Sequence, residues 1–150
     1  MTSTFPGSTA HPRETPFVPA PALVAVGSVV GLLVVAAYAG GVLLPHVVHD
    51  LHHLSHAELT GGAHDPKGLW PADAGLLGAL VRLAGVCAAF AGWLLTAPAA
   101  VVSAFALRSA AERRAPRRVV LHLVVLALLV SATVVRFTPF GGALVTWSLD

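Results

Sequence analysis

The sequence predicts an all-α integral membrane protein: three transmembrane helices and an extracytoplasmic, amphipathic, histidine-rich segment. Three observations predict it. Apolar blocks run from about Pro21 to Leu44, from Leu76 to Leu107 and from Val119 to Val135. A ~30 Å hydrocarbon slab needs roughly 20 apolar residues rising 1.5 Å each, and every block is long enough or nearly so. Only 11% of the 150 residues are charged, 56% are hydrophobic, and the mean hydropathy is +0.80. A soluble domain carries about 25% charged residues, so this chain lacks the polar surface to face water all round. Five of the eight arginines crowd one hinge between blocks and six of the eight histidines crowd the other.

Residues 1–20 read as a disordered cytoplasmic tail. Pro6, Pro12, Pro16 and Pro19 interrupt it and no apolar periodicity appears. The first span follows, over 21–44. Ala37-Tyr38-Ala39 fits a signal-peptide cleavage site, but the apolar run is longer than a signal core and its positive flank, Arg13, is distant. A retained helix is therefore expected.

The second block is too long for one slab. The expected span is about 83–107, with 73–82 as an extension in the interface and a kink at Pro98, which lacks a backbone donor. Arg82 lies where the extension meets the span. An intramembrane charge marks a functional site by default, although this one is close enough to the boundary to snorkel or to pair with Asp73. Cys87, the single cysteine, lies mid-block and reads as a small packing residue.

The hinge over 108–118 holds Arg108, Arg113, Arg114, Arg117 and Arg118 against Glu112 alone. Arginine and lysine stay on the cytoplasmic side, so this hinge faces in and the histidine hinge, 45–72, faces out. The third span covers 119–136. The tail over 137–150, broken by Pro139 and Gly141-Gly142, is expected along the outer surface, with Trp70 and Trp147 at the outer boundary. The net charge of +2 is local to the arginine hinge, so no nucleic-acid partner is expected.

Close packing of the spans is expected at small residues. Gly27 and Gly31 form a GxxxG, and Ala88 with Gly92 a second ridge, as do Gly85 and Ala89. The partners implied are the lipid bilayer and either other membrane subunits or a second copy of the chain.

Chemistry is concentrated in HVVHDLHHLSHAELTGGAH, from His46 to His64. Pro45 suits a first helical turn, so a helix to Leu59 is expected. At 100° per residue His46, His49, His53 and His56 share one face beside Asp50, with Val47, Val48, Leu51 and Leu54 opposite. Imidazoles at i,i+4 can hold one ion, which makes His49 with His53, and His52 with His56, candidate pairs. Asp50, Glu58, His64, Asp65 or a second subunit would complete the set. Zinc or copper(II) fits such ligands; copper(I) does not, since no soft ligand lies on this side. There is no HExxH and no CxxC.

Three function classes follow. The favoured one is a small non-catalytic accessory or assembly subunit of a larger membrane complex, or a homo-oligomer, whose extracytoplasmic segment can hold a divalent metal with His49 and His53 as core ligands and His46, Asp50, His52, His56 and His64 as supplements. The second is a pH-responsive or metal-transport component using the same cluster. The last is a membrane di-iron oxidase or hydroxylase: His49-Asp50-Leu51-His52-His53 has the HxxHH spacing of membrane di-iron desaturases, but one box supplies too few nitrogens for two irons. His122 stands alone at the arginine side, so a haem there would need a second subunit's histidine.

Overall fold

The computed structural model describes residues 20–59, 68–71 and 74–149. All regular structure among them is helical. The expected disorder of 1–20, apart from Ala20, falls outside these residues, as do His64, Asp65 and Asp73.

Helix α1 spans Pro21–Tyr38, with its proline at the first turn, where the missing N–H is not needed. It continues through a π-helical turn, Ala39–Leu43, into the short α2, Leu44–Val48. A turn of 3₁₀ helix, Leu51–His53, and α3, His56–Leu59, follow. Then come α4 (Gly75–Ala91), α5 (Trp93–Glu112), α6 (Pro116–Arg136) and α7 (Pro139–Leu149). Three helical stretches are long and apolar enough to cross a membrane: Pro21–Val48, Trp93–Glu112 and Pro116–Arg136.

The second block is divided at Gly92, not at Pro98. Pro98 sits inside an unbroken α5. Gly92 is buried against α1: a Cβ there would lie 2.7 Å from Val34 Cγ1. Helix packing, more than the proline, thus sets the position of the break.

Small residues position the helices. A Cβ on Gly31 would lie 2.6 Å from Leu129 Cδ2 and 3.2 Å from Ala99 Cβ, so α1, α5 and α6 converge there. Gly41, in the π turn, and Gly85, on α4, are in backbone contact: a Cβ on Gly85 would fall 2.6 Å from the Gly41 Cα. Gly27 does not share this role, since a Cβ there would meet nothing within 4 Å. Ala88 is half-buried on the face of α4 that turns toward Gly92. Deeper between α5 and α6, Thr96 and Thr133 share a hydroxyl–hydroxyl hydrogen bond of 2.8 Å, and Thr133 also donates to the Leu129 carbonyl.

The tail is the largest departure from expectation. Residues 139–149 form a helix whose Ala143, Leu144, Val145 and Trp147 are buried against Val42, Leu51, Leu59 and Ala89. Trp147 is therefore a core residue and not a boundary anchor, whereas Trp70 is exposed. Thr138 and Pro139 start this helix: the Gly141 N–H donates to Thr138 Oγ1, and proline takes the first turn. Gly141 is needed because a Cβ would collide with the Val135 carbonyl.

The chain thus has two ends. The arginine end gathers the start of α1, the end of α5 and the start of α6. The histidine end is a cap of α2, the 3₁₀ turn, α3, α4 and α7. Between them the surface is apolar, with Val26, Leu33, Leu94, Val101, Val120 and Val134 all exposed.

Candidate functional site

The histidine segment is not one helix. Helix α2 stops at Val48, Asp50 takes the left-handed conformation (φ 59°, ψ 24°), and Leu54 is extended. Two local causes are readable. Aspartate tolerates left-handed backbone better than most residues. Ser55 and Glu58 form a capping box that starts a fresh helix: the Ser55 N–H and hydroxyl both donate to Glu58 Oε2, at 2.8 and 2.7 Å. The break also lets Leu51 and Leu59 both reach the core beneath α7.

The reversal regroups the imidazoles. Asp50 Oδ1 lies 3.5 Å from His52 Nδ1 and 3.5 Å from His53 Nε2. The two imidazole rings are 3.9 Å apart at their centroids. One ligand atom from each of the three residues falls within 4.8 Å of the others, and all three side chains are exposed. A tetrahedral zinc with bonds of about 2.0–2.1 Å holds its ligand atoms roughly 3.4 Å apart. Both Asp50–imidazole separations are close to that spacing, and three ligands would leave a fourth position for water or a partner's side chain.

The other predicted ligands are placed elsewhere. His46 turns away from water: it is 3% exposed and packs edge-on to Phe140 and Trp147, with ring centroids 5.7 and 6.0 Å away. Neither of its ring nitrogens has a hydrogen-bond partner among the described residues. It lines a cavity of about 410 Å³ with His52, Leu54, Leu59 and residues of α7. His49 is half-buried at the end of α2 and lies outside the three-ligand group. The i,i+4 pairing of His49 with His53 requires a continuous helix, and Asp50 ends that. His56 opens α3.

Arg82 is partly buried. Its Nη2 donates to the Ser148 carbonyl at 3.2 Å, in the last turn of α7. The bond is made at a helix C-terminus, where the unpaired carbonyls and the negative dipole end favour a cation. Sequence reasoning missed Phe140 and Gly41, and placed Trp147 at the outer boundary, where the fold buries it beside His46. The Thr138-Pro139 pair signals the helix that carries Phe140 and Trp147.

Comparison with protein-family models, with curated proteins and with solved structures returns no match.

Proposed function

We propose that this is a small, non-catalytic, multi-pass membrane protein, an accessory or assembly subunit of a larger complex or a homo-oligomer, that binds a divalent metal on its extracytoplasmic cap. The observation that carries the reading is the convergence of Asp50, His52 and His53 on one exposed point. Nitrogen and carboxylate ligands suit zinc or copper(II).

The membrane reading is supported by three long apolar helices and an exposed apolar belt. By the arginine rule the arginine end is cytoplasmic and the histidine end extracytoplasmic. The subunit reading draws on α4, whose Leu76 and Leu77 are 80% and 75% exposed at the cap end of the chain.

A second reading, a pH-responsive or metal-transport component, draws on His46. A proton gained there would place an unpaired charge between Phe140 and Trp147.

The test is elemental analysis of untagged protein in mild detergent, after equilibration with zinc or copper(II), beside cysteine labelling of Ser55→Cys and Ala115→Cys in intact cells. The reading expects about one metal per protomer, as one three-ligand site demands, and labelling from outside at position 55 only. Metal-free protein after both equilibrations would remove the site, and labelling at 115 alone would invert the topology.

A further inference from the structure

A second site lies at the arginine end. Helices α1 and α6 meet at Gly31 and Leu129, then part toward Pro21: Gly27 has no neighbour, and a cleft of about 750 Å³ opens between α1, the end of α5 and the start of α6. That volume is within the range of small-molecule and lipid pockets. Its walls are apolar, with Val24, Val29, Leu32, Leu121 and Val125. Its mouth is not.

Arg113 and Arg118 both line the mouth, and neither has an ion pair or hydrogen bond among the described residues. Arg108, by contrast, is paired to Glu112 at 3.0 Å. Ser28 and His122 also line the cleft; Ser28 Oγ and His122 Nδ1 are buried and have no hydrogen-bond partner among the described residues. The first turn of α6 adds a third favourable element for an anion, with no side-chain cap and no acidic residue. Two unpaired guanidiniums on an otherwise apolar trough describe the shape of one ligand class.

We propose that this cleft binds an anionic glycerophospholipid, with the phosphate held by Arg113 and Arg118 and an acyl chain lying along Val24, Val29, Leu121 and Val125. A zwitterionic lipid fits less well, because its own ammonium group cancels the attraction of two unpaired guanidiniums. The inference rests on the membrane reading above.

The test is native mass spectrometry of the full chain released from detergent, with phosphatidylglycerol or phosphatidylcholine of matched acyl chains. The wild type retains phosphatidylglycerol about tenfold or more better, the scale that two arginines near a surface supply. Arg113→Gln/Arg118→Gln removes that preference, while Arg114→Gln/Arg117→Gln, which removes equal charge outside the cleft, keeps it. Leu121→Trp, which fills the trough, lowers retention of both lipids. Equal loss in both arginine variants, or no preference in the wild type, would overturn the site. Complete displacement of the lipid by inorganic phosphate would also overturn it, by reducing it to a simple anion site. Recovery of the protein in the soluble fraction without detergent would overturn the membrane reading instead.

Discussion

Arg82 and Ser148 are 66 positions apart and joined by one hydrogen bond, from a guanidinium to the last turn of α7. A charge that sequence reading places at a membrane boundary also ties α4 to the end of α7. Arg82→Ala removes a charged donor from a helix C-terminus. A hydrogen bond to a charged group contributes about 1.5–3 kcal/mol and a cation at this position up to about 1 more, so a loss of roughly 1.5–4 kcal/mol is expected. Hydrogen exchange localises it: amides of residues 144–149 should lose protection first, while those of α6 keep theirs.

The cap itself stands on α7. Leu144 is fully buried and Trp147 nearly so. Leu144→Ala should cost about 2–5 kcal/mol, and Trp147→Ala about 3–5. Chemical denaturation in detergent, followed by near-ultraviolet circular dichroism, checks both. A tail merely resting on the surface would show almost no change.

How much of this was legible divides by the kind of signal. The apolar blocks were plain, because length and hydropathy are properties of single segments. The tail was not, because Pro139 and Gly141-Gly142 look like helix breakers; here proline occupies the first turn and Gly141 admits the Val135 carbonyl. The histidine segment misled for the opposite reason. Its apolar and polar spacing suits a helix, yet the Ser55–Glu58 capping box within it restarts the chain. Gly92 and Gly85 stand in small-residue ridges that the sequence shows, but their partners Val34 and Gly41 lie far away in sequence and could be found only from the fold.

Glycine substitutions separate contact from composition. Gly85→Val and Gly41→Val drive a side chain into backbone that cannot yield, and should abolish stable packing of α4 on the π turn. Gly27→Val should leave the fold intact, as it faces open space. Monodispersity on size-exclusion chromatography distinguishes them.

The Thr96–Thr133 bond is a smaller term. Interhelical hydrogen bonds in lipid average about 0.6 kcal/mol and reach about 1.7, so Thr96→Val should destabilise by that order only. A larger loss, measured by unfolding in mixed micelles, would mean that Thr96 supports more than this contact.

The most direct test of the account sets His49 against His52. The proposed metal site depends on the break at Asp50, which groups His52 and His53 with that carboxylate and leaves His49 out. Zinc affinity is measured by competition with a chromophoric chelator for His49→Ala and for His52→Ala. Retained affinity in His49→Ala with loss in His52→Ala is the predicted result. The reverse pattern would restore a continuous helix with an i,i+4 pair at His49 and His53, and would contradict the site described here.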